Sequence, residues 1–162
     1  MKILGIDPGI ARTGWGIVEC QISNIKCQMF GCIETSTDLD VSQRLKCIYD
    51  SLEKIINEHK PDVLALEEIF FNTNAKTAFI VGEARGVILL ASAKQNIPVA
   101  IYTPLQVKIA VTGYGRAEKA QIGQMVKTIL KLEKIPKPDD VADALAVAIT
   151  HAFSQKMRGF RA

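Results

Sequence analysis

The chain is 162 residues long and 48% hydrophobic, with 20 basic and 17 acidic side chains and a formal net charge of +3. That length suits one domain spanning 1–162 and is too short for two lobes. Charges such as Glu83, Arg85 and Lys94 interrupt every apolar run before the ~18 residues a membrane span needs. The start reaches Asp7-Pro8-Gly9 before it could serve as a signal peptide, so a cytoplasmic protein with no membrane association is expected.

Lys2 to Asp7 is a short apolar run closed by Asp-Pro-Gly, where proline presets a turn and glycine tolerates positive φ, and it reads as a buried strand. Residues 14–19 and 26–33 follow with strand-like content and turn signals between them, so an antiparallel meander of three strands is expected first. From Val41 to Glu58 the apolar residues Leu45, Ile48, Leu52, Ile55 and Ile56 recur at three- and four-residue steps, predicting an amphipathic helix that Pro61 stops. Val63-Leu64-Ala65-Leu66 is apolar throughout, as suits a strand buried on both faces, and it runs into Glu67-Glu68. Asn74 can cap a second helix reaching about Gln95, and residues 98–102 suit a fifth strand. Further helices are expected at about 104–111, 117–130 and 139–153. Strands alternating with helices imply an α/β sheet with parallel members. A basic tail from about residue 155, carrying Lys156, Arg158 and Arg161, need not be ordered.

Cys20, Cys27, Cys32 and Cys47 form no C-x-x-C pair and have only His59 and His151 as co-ligands, so they read as small buried hydrophobes rather than a zinc site. Charge is segregated along the chain. Residues 34–68 hold nine acids and four bases, whereas residues 104–137 hold seven bases and two acids. The basic stretch offers a polyanion somewhere to land, although lysines that merely solvate helix faces are the commoner cause of such a run.

Asp7 ends an otherwise buried strand, where an acid loses hydration unless a cation or hydrogen bonds compensate; its bland role is to accept N–H bonds within the turn. Glu67 repeats the pattern at the end of a second apolar strand, and alternation sends Glu67 and Glu68 to opposite faces. Both could simply mark the exit into water. Asp140 and Asp143 are three residues apart and share a helix face. Acids in a first helical turn complement the dipole, which accounts for Asp139 and Asp140 but poorly for Asp143 among its small apolar neighbours. Converging carboxylates repel, so a site of this kind requires cations, and oxygen-only ligands favour Mg²⁺ or Mn²⁺. Two such ions can hydrolyse a phosphodiester without a protein nucleophile.

Gly5-Ile6-Asp7-Pro8-Gly9 with Thr13-Gly14-Trp15-Gly16, then Ala65-Leu66-Glu67-Glu68-Ile69-Phe70, Gly82-Glu83-Ala84-Arg85-Gly86, Gly115-Arg116-Ala117-Glu118-Lys119 and Asp140-Val141-Ala142-Asp143-Ala144-Leu145-Ala146 resemble, in order, the motifs of the RuvC family of bacterial Holliday-junction resolvases. The resemblance covers nearly the whole chain. It implies an RNase H-like α/β fold: a five-stranded mixed sheet, its first three strands antiparallel, flanked by helices. It further implies a homodimer that nicks four-way-junction DNA in symmetric pairs, and branch-migration partners RuvA and RuvB. By motif position Asp7, Glu67, Asp140 and Asp143 are implied as the catalytic, metal-binding acids, with two Mg²⁺ ions per site and Mn²⁺ as a substitute; Asp139 remains a possible further ligand. Phe70 matches an aromatic that stacks on bases near the junction centre, while an ordinary core role is the alternative. Lys108 and Lys119 match lysines beside the scissile phosphate, and Lys119 near a helix start opposes the dipole unless an anion offsets it. Arg116 is a further DNA-contact candidate. Gly82 and Gly86, one helical turn apart, fit either a dimer interface or close packing on the protein's own sheet.

Two other functions share parts of this pattern. Actin-like and sugar-kinase ATPases begin with a similar Gly-Ile-Asp-x-Gly loop but need two such domains. A non-catalytic junction binder would keep the acids as structural groups. A shorter resolvase-like nuclease family lacks the Asp-x-x-Asp-Ala-Leu-Ala ending.

Overall fold

In the computed structural model, β1 (Lys2–Asp7) lies at the centre of one sheet because its apolar residues are buried on both faces. It pairs antiparallel with β2 (Arg12–Cys20), which pairs antiparallel with β3 (Ile25–Glu34). On its other side β1 runs parallel to β4 (Val63–Glu67), and β4 runs parallel to β5 (Val99–Tyr102). The order β3-β2-β1-β4-β5 is the mixed five-stranded sheet expected from the sequence, with its first three strands antiparallel. The structure describes residues 1–21, 24–68 and 75–159, excepting the side chains of 75–77 and 156–159.

Helices cover both faces. α1 (Val41–His59) and α2 (Ala75–Lys94) bury Ile48, Leu52, Ala84 and Ile88 against Leu4, Ile6, Leu64 and Leu66. α3 (Pro104–Thr112), α4 (Lys119–Leu130) and α5 (Asp139–Gly159) pack Val107, Val126, Leu145 and Ile149 against Ile3, Val18, Val63 and Ala65 on the other face. Side chains alternate along each strand, so residues 3, 5 and 7 of β1 and 63, 65 and 67 of β4 share the α5 side.

Local signals explain the helix limits. Asp40 and Gln43 form a capping box at the start of α1, and Lys60 ends it in the left-handed region. Thr103 and Gln106 cap α3 in the same way, with Pro104 in its first turn and Gly113 at φ +75° closing it. α5 runs six residues past the expected end at Phe153. There the apolar period lapses, yet the helix continues to Gly159. The first residues of the basic tail are therefore helical.

The seat of α5 is set by glycine. A Cβ on Gly5 would collide with the Ala144 carbonyl oxygen, and one on Gly14 with the Asp140 carbonyl oxygen. Only a residue without a side chain lets the helix backbone lie this close to the sheet.

Candidate functional site

Ile6 stands opposite Leu66 in the parallel β1–β4 register, so the next residue of each strand, Asp7 and Glu67, emerges beside the other on the α5 side. Glu68 turns to the opposite face. It is exposed, and its backbone N–H donates to the Tyr102 carbonyl at 2.7 Å. Across β1–β2, Asp7 pairs with Gly14, the glycine beneath the Asp140 carbonyl. The first turns of α5 thereby bring Asp140 and Asp143 over the ends of β1 and β4.

The electrostatics tie Asp7 to the other three acids. Burial, together with the charges of Asp143, Glu67 and Asp140, pushes the Asp7 carboxyl up from 3.8 to about 8 against the opposing pull of Lys119. Glu67 is raised by burial and by Asp143, while Lys119 and Lys108 pull it back. Asp143 is also raised, chiefly by burial, although Lys119 Nζ lies 2.8 Å from its carboxylate. Among the described residues no three of these acids stand close enough, as placed, to enclose one ion. Lys119 supplies the countercharge at Asp143, and Arg12 does so at Asp140 from 3.8 Å. The donor set nonetheless suits a hard divalent ion: it is oxygen-only, partly buried, and destabilised by its own repulsion.

Lys119 is the first residue of α4, where a cation opposes the helix dipole. The sequence argued for a phosphate as the offsetting anion, but Asp143 already provides one. Lys108, half-buried on α3, stands near enough to Glu67 to lower its pKa. Arg116 is exposed in the loop between α3 and α4, and no described contact ties it to the acids. Asp139 is exposed and bonded to Lys137 Nζ at 2.6 Å, which holds its carboxyl below the usual range. Phe70 lies outside the described residues.

Sequence reasoning passed over Arg12, three residues after the Asp-Pro-Gly turn, and counted Lys137 only as one base of the 104–137 stretch, although it lies just before Asp139-Asp140. It also missed a partly buried pair next to Glu67. Tyr102, the register partner of Glu67, bonds His151 Nδ1 through its hydroxyl at 2.8 Å. On α2, a Cβ at Gly82 or Gly86 would meet nothing within 4 Å, so neither glycine serves packing on the protein's own sheet. Phe79 and Leu90 are exposed on the same helix.

Residues 3–151 match the family described as crossover junction endodeoxyribonuclease RuvC. The crossover junction endodeoxyribonuclease RuvC of Desulforamulus reducens is 60% identical over 152 residues, which is 94% of this chain and 93% of that protein. Thermus thermophilus RuvC superposes with a TM-score of 0.90 at 35% identity, covering 98% of this chain and 97% of that one. The same T. thermophilus protein in complex with a Holliday junction substrate gives a TM-score of 0.89 at 34% identity, covering 97% and 96% of the two chains. The fold is RNase H-like, as the motif order implied.

Proposed function

Because this chain belongs to the RuvC family of crossover junction endodeoxyribonucleases, we propose that it resolves four-way DNA junctions by phosphodiester hydrolysis at Asp7, Glu67, Asp140 and Asp143. The observation that carries this reading is the convergence of those four acids from β1, β4 and α5, where burial and repulsion hold Asp7 at about 8. A donor set so destabilised gains from cations, and its chemistry fits Mg²⁺, with Mn²⁺ as a substitute. Asp7, Glu67, Asp140 and Asp143 would hold two such ions, which would supply activation of a water and charge stabilisation of the leaving oxygen.

The chain itself supplies position and charge. Adjacent parallel strands fix Asp7 and Glu67, and the glycine-seated helix fixes Asp140 and Asp143 over them. Lys119 and Lys108, on the Asp143 and Glu67 sides, can exchange these acids for the oxygens of the scissile phosphate. Arg116 extends the basic surface along the DNA. Phe70, beyond the end of β4, stacks on an unpaired base near the junction centre, a contact worth roughly 1–3 kcal/mol.

Paired symmetric nicks require two sites related by a two-fold axis, hence a homodimer. The open α2 face with Phe79, Gly82, Gly86 and Leu90 is suited to a second copy of the same helix. The setting is DNA recombination and repair in the cytoplasm, downstream of RuvA and RuvB. A synthetic four-way junction should be cut into ligatable duplexes with Mg²⁺ and left intact in EDTA. Equal cutting of linear duplex would refute junction selectivity, and binding without cutting in either Mg²⁺ or Mn²⁺ would establish a non-catalytic binder instead.

A further inference from the structure

Arg12 and Lys137 flank the acids on the β2 side, whereas Lys108 acts on Glu67 from the β4 side. A groove of about 740 Å³ runs along the β2 side, bordered by the Gly9–Arg12 turn, Val81 of α2, Lys119, Lys137 and Asp140. Both cations are largely exposed, at 56% and 73%, and each pairs with an acid of the groove wall. Arg12 stands 3.8 Å from Asp140, longer than the ~2.7–2.9 Å of a charge-assisted hydrogen bond. Its guanidinium donors make no hydrogen bond among the described residues.

A strand laid across the four acids must leave them on both sides. On the β2 side it passes Asp139 and Asp140, whose charges repel a phosphodiester unless cations intervene. Arg12 offers a planar fork that matches two phosphate oxygens, and Lys137 offers a point charge on a flexible stem. We infer that Arg12 and Lys137 form a second phosphate-binding pair, which holds a phosphate adjoining the scissile one in the groove beside Asp140. Asp139 then serves as the resting partner of Lys137 rather than as a fifth ion ligand. The inference rests on the proposed junction cleavage and assigns the path of the DNA across the same site.

The test is junction affinity of the full-length protein in EDTA, by fluorescence anisotropy over roughly 50–300 mM salt. Arg12→Ala and Lys137→Ala should each weaken binding about fivefold near 0.15 M salt and flatten the log–log salt slope by about 0.9, with about twice that change in the double variant. Lys46→Ala is the control. Lys46 is exposed on α1, in the opposite layer, and pairs with Asp50 at 2.5 Å; its removal should leave the slope unaltered. Asp139→Asn should bind the junction severalfold more tightly and still cut it. Slopes for Arg12→Ala and Lys137→Ala equal to that of Lys46→Ala would overturn the phosphate pair. Loss of cutting by Asp139→Asn at saturating protein would overturn its assignment as a resting partner. A wild-type protein that neither prefers nor cuts four-way junctions would instead refute the proposed function, an outcome separate from both.

Discussion

Replacing Asp7 with asparagine should stabilise the protein in EDTA while abolishing cleavage. The carboxyl sits at about 8 in the fold against an ordinary 3.8, so the folded chain holds this proton more tightly than the unfolded chain does. Below the unfolded value both states are protonated and the group is neutral toward stability. As pH rises from 3.8 toward 8 only the unfolded chain releases its proton, stability falls, and above the folded value the loss is complete. At 1.36 kcal/mol for each pH unit, the wild-type chain gives up about 4 kcal/mol by about pH 7. That figure is an upper limit, because Lys119 and water shift toward the ionised carboxylate. An amide carries no charge to repel Asp143 and Glu67, and allowing half the gain for imperfect hydrogen bonding leaves about 2 kcal/mol. With a urea m-value of about 2 kcal/mol per molar, the midpoint should rise by about 1 M near neutral pH. Unfolding can be followed through Trp15, the single tryptophan of the chain. Saturating Mg²⁺ should reverse the order, adding about 2.7 kcal/mol to wild type at a hundredfold excess over Kd and far less to the variant. If the difference between the two proteins in EDTA does not grow between about pH 5 and 8, the carboxylates are not coupled as described.

Glu67→Gln should abolish cleavage and keep junction binding, whereas Glu68→Gln, on the opposite face, should cut normally in the same gel assay. Lys119→Ala should slow cleavage and reduce the slope of log affinity against log salt by about 0.9, read by anisotropy titration. Gly14→Ala drives a methyl into the Asp140 carbonyl oxygen; an overpacking cost of about 1–3 kcal/mol in urea unfolding should accompany a cleavage loss of about 100-fold. Gly86→Arg meets open space at its Cβ, so the melting temperature should hold while sedimentation equilibrium reports a monomer and the paired nicks give way to single ones.

The strand-ending acids were legible because Asp7 and Glu67 each close an apolar run, and Asp143 because its small apolar neighbours signal close packing. That Asp7 and Glu67 lie side by side was not legible from the residues alone. It depends on β1 pairing with β4 across sixty residues of chain, a non-local choice that only the motif order anticipated. The glycines under α5 carry no periodic signal, and their purpose shows only once the Asp140 and Ala144 carbonyls are seen above them. Lys119 was recognised as out of place at a helix start, but its partner Asp143, from another helix, could not be found by spacing. For Gly82 and Gly86 the sequence allowed inward or outward packing equally, and the open space at both positions removes the inward alternative.

The sheet divides the interior into two cores that, among the described residues, share no buried side chain. Volume changes among Leu52, Ile88 and their neighbours fall on the far side of β1 from the acids, whereas the height of α5 above Asp7 is set by main-chain contact at Gly5 and Gly14. A lineage can therefore retune its heat tolerance through the α1–α2 layer by several conservative exchanges while the spacing of the acids stays where two glycines put it.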